Sequence, residues 1–156
     1  VTSSSGGVSI TINAEGALRK YASAEAKITE KAAMGLNKLG ILTVSKLKSK
    51  APRDTSNMVN HIHATPATPG NLNVEIIGDA SYTTYVDKGT APHMPPSDAL
   101  EAWGKRHGFP AGSGFIIARA ISQHGTKAAN FIEPVIEEAR ASAKMIMLEA
   151  TKGLTL

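Results

Sequence analysis

Cysteine is absent from the 156 residues. That excludes a disulfide scaffold, a thiol nucleophile and any zinc site built on thiolates. Folding then needs no oxidising compartment, and synthesis in a cytoplasm is the expectation. Aromatic residues are scarce, at 4% of the chain, so a core has to be built from Leu, Ile, Val, Met and Ala. No run of about 18 apolar residues occurs, so no transmembrane helix is expected. Residues Val1 to Gly7 lack the basic start and apolar stretch of a signal peptide. Their Ser/Gly composition reads as a flexible arm that orders only against a partner.

The usual catalytic patterns are missing as well. Gly112-Ser113-Gly114 lacks the spacing of a G-x-S-x-G nucleophile elbow. Neither G-x-G-x-x-G nor G-x-x-x-x-G-K-[ST] occurs, so the glycines near 108–114 read as a connection rather than a phosphate cradle. His61-Ile62-His63 is the one metal-like spacing, because residues i and i+2 of a strand share a face. A third ligand from Asp87 or His93 is not fixed by any spacing, and polar strand-face histidines are the simpler account. No basic and aromatic residues interleave as on a nucleic-acid stacking platform. The expectation is a chain that is not an enzyme and has no cofactor and no metal.

What is present is a charge excess. The net charge is +4 with a pI near 9.4. Residues 1–60 hold nine Lys/Arg and four acids, or +5, so the remainder nearly balances. A basic helical face attracts nucleic acid or an acidic protein surface, or is simply solvated. Any DNA contact would be diffuse and electrostatic.

Hydrophobic periodicity supplies the elements. Val8 to Asn13 alternates apolar and polar residues and predicts a short strand. From about Ala14 to Lys50, Leu18, Tyr21, Ile28, Ala32, Leu36, Leu39, Thr43 and Leu47 mark the stripe of an amphipathic helix. Gly35 and Gly40 inside it predict a kink or close packing. Ala51-Pro52 ends that helix. Met58–Thr65, Leu72–Ile76 and Tyr82–Asp87 read as strands, the last two forming an antiparallel hairpin around Gly78-Asp79. Lys88 to Pro96 is a proline-stiffened loop, after which Ser97 caps a helix that turns Leu100 and Trp103 inward. A short helix over Phe115–His124 and a final helix capped by an Asn130/Glu133 box complete the chain. The class is α+β: one domain over 8–156, with a small antiparallel sheet packed by a long N-terminal helix, short middle helices and a C-terminal helix.

Two segments carry a recognisable pattern, and a third, shorter one follows them. Lys50-Ala51-Pro52-Arg53-Asp54-Thr55-Ser56-Asn57-Met58 resembles the A-P-x-D-T-G-x-L signature of the neck and tail-completion (minor tail, head–tail joining) proteins of tailed bacteriophages. Tyr82-Thr83-Thr84-Tyr85-Val86-Asp87-Lys88-Gly89-Thr90 is similar to that family's Y-x-x-Y-V-E-x-G-T. Phe131-Ile132-Glu133-Pro134-Val135 stands where the family has F-[LI]-x-P-A. Ser56 replaces the usual Gly, Asp87 the commoner Glu, and Val135 the Ala. The likeness spans about residues 14–150.

The resemblance implies a structural virion protein of the head–tail junction, made in the bacterial host cytoplasm. It implies a homo-oligomeric ring, six- or twelve-fold, between the capsid connector or head-completion protein and the tail. A tail terminator capping the tail tube is a related alternative, and a basic DNA-binding module is one of a different class. No membrane is involved. On this view Lys46 and Lys48 of the long helix with Arg53 just beyond it, the loop residues Lys88, Gly89, Thr90, Pro92, His93, Met94, Pro95 and Pro96, and the N-terminal arm meet neighbouring subunits. A solvent-exposed linker is the plain alternative for the loop.

Overall fold

The computed structural model describes residues 15–154. The expected arm over 1–7 and strand over 8–13 lie outside them. The elements in chain order are α1 (Glu15–Lys50), α2 (Asn57–Asn60), β1 (Ile62–Thr65), β2 (Glu75–Gly78), α3 (Thr83–Lys88), α4 (Ser97–Arg106), α5 (Ser113–His124) and α6 (Ile132–Ala150). β1 and β2 form a two-stranded antiparallel sheet. The class is α+β. No helix among the described residues is long and apolar enough to cross a membrane.

The long amphipathic helix forms as its apolar stripe predicts, and its glycines serve close packing. α6 runs antiparallel along the C-terminal half of α1. A Cβ on Gly35 would stand 2.8 Å from Met147 Sδ and 3.0 Å from Ala150 Cβ, and one on Gly40 would stand 2.7 Å from Val74 Cγ1. Ion pairs stitch the same seam. Lys38 Nζ donates to Glu149 at 2.8 Å, and Lys46 and Lys50 both donate to Glu138. Before Lys31, α1 has no buried residue among those described. The core gathers at its other end, where Leu47 and Ala51 meet Met58, Val59, Ile62, Ala80, Phe131 and Val135.

Several strand expectations are overturned, each for a physical reason. Met58–Thr65 is not one strand, because its first part is the helical turn α2. Met58, Val59 and Ile62 are all buried. The neighbours Met58 and Val59 can share a face on a helical turn and not on a strand. The strand expected over Leu72–Ile76 starts later, at Glu75. Thr65 pairs with Glu75, so the next rung would fall on Pro66, which has no N–H to give. Val74 instead rests on α1 at Gly40. Tyr82–Asp87 is helix α3 rather than a strand, so β2 pairs back with β1 and the expected hairpin does not form.

The helix starts differ too. Ser97 is the first residue of α4 rather than its cap, and Pro96 precedes it with no side-chain cap bond. Leu100 and Trp103 are half-buried. The Asn130/Glu133 box does not form. Asn130 sits at φ 49, and no local side chain caps α6.

Candidate interaction surface

The caps of the last two helices come from far upstream. Asp87 Oδ1 accepts the N–H of Phe131 at 2.9 Å and that of Ile132 at 3.0 Å, the first free amides of α6. Backbone bonds reinforce the joint, from Ala129 N–H to Val86 O and from Asn130 N–H to Asp87 O. α3 has to be helical here, since its closing turn aims the buried Asp87 at the start of α6. Glu101 of α4 plays the same part for α5, accepting from Gly112 N–H at 2.8 Å and Gly114 N–H at 2.7 Å. Those two amides, Gly114's foremost, hold the Glu101 carboxyl below the usual carboxylate range.

Gly89 follows directly. It adopts φ 72, ψ −176, a region open essentially only to glycine. A Cβ there would overlap Thr126 O and stand 2.9 Å from Ala128 N. Thr90 and Thr126 then exchange both backbone bonds at 3.2 Å, and their hydroxyls meet at 3.0 Å. The segment from Val86 to Thr90 is thus clamped along 126–132.

Beyond this clamp the loop leaves the surface. Pro92, His93, Met94 and Pro96 are exposed and Pro95 is half-buried, with Met94 56% exposed. His93 Nδ1 lies 3.0 Å from Ala91 O. Lys88 is exposed at the end of α3.

The basic residues at the end of α1 and just after it lie elsewhere. Lys46 is engaged by Glu138, Lys48 is half-buried, and Arg53 Nη2 donates to Lys48 O at 3.2 Å. No hydrogen bond or ion pair among the described residues joins them to the loop. The two expected patches are separate, and α4 separates them. Its first residue follows the loop, whereas Arg106 near its end donates to Asp54 Oδ1 and Oδ2 at 2.9 and 2.6 Å. Ten residues of helix span about 15 Å. Arg106, helped by His107, holds the Asp54 carboxyl below its ordinary range.

Of the clefts that no sequence motif announces, two are lined in part by Arg53. One, of about 390 Å³, lies between the Pro52–Met58 segment, Tyr82 and Val86 at the start and middle of the α3 turn, and Trp103 and His107 at the end of α4. Trp103 stacks on His107 with ring centroids 4.1 Å apart, and Asn57 Nδ2 donates to Tyr82 OH at 3.0 Å. The other, about 620 Å³, runs between α1 and β1, over Ile41, Val44 and Lys48 and beside Ile62, His63 and Ala64. A lone tryptophan and the i, i+4 pair Tyr82/Val86 are the only signals that pointed to the first. Nothing local pointed to the second.

No family model matches the chain, and no curated protein or solved structure matches it either.

The histidine pair loses its premise. β1 begins at Ile62, so His61 lies outside the strand, with Nδ1 2.7 Å from Asn57 O. His63 faces Asp79 at 3.7 Å. Among the described residues no group of three or more His, Asp or Glu could hold a metal ion. Ser113 is buried against Gly104, and its Oγ has no protein partner among the described residues.

Proposed function

We propose that this chain is a structural, non-enzymatic subunit of a phage head–tail junction. It would form or join a neck or tail-completion ring that links the capsid connector to the tail. One observation carries the reading. Asp87, from the Tyr82–Thr90 segment, caps α6 at Phe131 and Ile132, so two of the three segments that bear the resemblance are one interlocked unit. A motif spread over 50 residues of sequence makes sense as a fold signature when its parts touch. The third segment adds to this. Ser56, which stands where glycine is usual in that family, adopts φ 62, a conformation glycine takes without steric cost.

The interaction surfaces on this reading are the exposed loop over Pro92–Pro96 and the end of α1 near Lys48 and Arg53. They flank α4 on opposite ends, which suits a head-to-tail contact between copies. Heterologous contacts of that kind close into rings when the rotation permits. Protein contact is favoured over DNA contact because three of the basic residues of α1 are already compensated by α6. Lys38 pairs with Glu149, and Lys46 and Lys50 pair with Glu138.

Electron microscopy of lysates from a phage lacking this gene tests the reading. Filled heads lying apart from finished tails are expected. Tails of uncontrolled length would identify a terminator instead, and intact infectious particles would sink the proposal. A finer test reverses charge at Lys48 and Arg53, which leaves the pairs of Lys46 and Lys50 with Glu138 in place. Unchanged particle assembly would remove the α1 surface from the interface.

A further inference from the structure

Among the described residues β1 has one neighbour, β2, so no described strand pairs with the backbone N–H and C=O groups of its other edge. That edge opens on the cleft of about 620 Å³ against α1. Its end near Ile41 is apolar, with Ile41 68% exposed and Val44 one turn further on, whereas Ser45, Lys48, Ser49 and Arg53 line the other end. Ile62 and Ala64 of β1 turn toward the same helix, with Ala64 Cβ 3.6 Å from a Cβ placed on Gly40. A strand added here would bury alternate side chains on Ile41 and Val44 and leave the others to solvent.

The chain contains a segment of that pattern. Val8, Ile10 and Ile12 alternate with Ser9, Thr11 and Asn13, the period of a strand with one apolar face. It carries no charge to desolvate. Its own β1 is out of reach. Ile41 lies 26 residues along α1 from Glu15, about 39 Å at the helical rise. Val8 precedes Glu15 by seven residues, which span at most about 25 Å fully extended. The segment therefore falls short of its own groove and can fill only another copy's.

We propose that Val8–Asn13 of one copy adds as a strand to the edge of β1 away from β2 in a second copy, laying Val8, Ile10 and Ile12 over Ile41 and Val44. Main-chain bonds supply affinity and the alternate side chains supply specificity, as in strand-addition contacts generally. The donor and acceptor surfaces differ, so when each copy gives its strand to the next rather than exchanging with one partner, the contact is heterologous and propagates around a ring. The inference deepens the ring reading and names the element that links its subunits.

Amide hydrogen exchange of the full chain tests it, read at the β1 amides that do not bond β2. Raising the protein from low micromolar to millimolar concentration is expected to slow their exchange roughly tenfold or more. A variant carrying Ile10→Asp and Ile12→Asp is expected to exchange fast at every concentration, and so is Ile41→Glu, a change at an exposed helix position. Exchange that does not depend on concentration in the unaltered chain overturns the proposal, whether fast throughout or slow through an intramolecular contact. Rings that persist in the Ile10→Asp/Ile12→Asp variant overturn it too, while leaving the ring reading standing. Concentration-dependent protection without rings in a phage particle supports the strand contact and counts against the head–tail role.

Discussion

The carboxylate of Asp87 and the backbone N–H of Phe131 meet at 2.9 Å across 44 positions of sequence. The same oxygen accepts from Ile132, so one buried side chain closes the start of the C-terminal helix and ties it to α3. Stability should depend on this joint more than on any surface ion pair.

Asp87→Ala leaves two amides at a buried helix start without a partner. A loss of about 2–3 kcal/mol is expected, from the missing cap and the desolvated donors. Asp87→Asn keeps a carbonyl oxygen at the same place and should cost about 1 kcal/mol. Urea unfolding of both variants checks this, and equal losses would show that the cap geometry is not what matters.

Gly89→Ala forces a Cβ into backbone that it cannot avoid, at a φ of 72. A destabilisation of about 3 kcal/mol or more is expected, combining conformational strain and overlap with the 126–128 segment. Thermal unfolding gives the measurement, with a midpoint lower by roughly 6 °C or more. A shift within error would mean that the loop leaves the clamp freely.

Ser56→Gly should stabilise the protein. Left-handed strain on an L-residue is about 1–2 kcal/mol, and the added freedom of glycine in the unfolded chain takes back about 0.4–1 kcal/mol. The expected net gain is about 0.5–1 kcal/mol, the difference of those two effects. A lower unfolding midpoint would show that the Ser56 side chain has a role of its own.

Glu138 sets an acid dependence. Lys46 and then Lys50 hold its carboxyl down to about 2, from an ordinary 4.5. Because the folded-state value is depressed, the pair stabilises fully above about pH 4.5, and that contribution fades as pH falls toward 2. Glu138→Gln should therefore lower the unfolding midpoint at neutral pH and change it little at pH 2. The group is exposed enough that salt should shrink the difference. A pH-independent effect of the substitution would point to packing instead.

The elements that could be read from the chain alone are the long ones. The stripe from Leu18 to Leu47 and the stop at Ala51-Pro52 define α1, because a period sustained over many turns has no second interpretation. The last two helices and the proline loop were legible for the same reason. Short elements were not. Tyr82–Asp87 is rich in residues that suit strands, yet it is a helix, because six residues have too little intrinsic preference to oppose what the surrounding structure requires.

The candidate surfaces divide along the same line. Exposure of the Pro92–Pro96 loop follows from its composition. The compensation of Lys46 by Glu138, 92 positions away, does not, and neither does the cleft that β1 forms with Ile41 of α1.

By itself the sequence determined the α+β class, the span of α1, the absence of thiol chemistry and a basic N-terminal third. Each of these is a local or additive property, in which every residue contributes without reference to distant ones. Only the tertiary structure decided which helix ends Asp87 and Glu101 cap, which lysines α6 neutralises, and which strand β2 pairs with. Those outcomes depend on pairs brought together by chain closure, and a carboxylate's partner 44 residues away leaves no local mark on the sequence around either one.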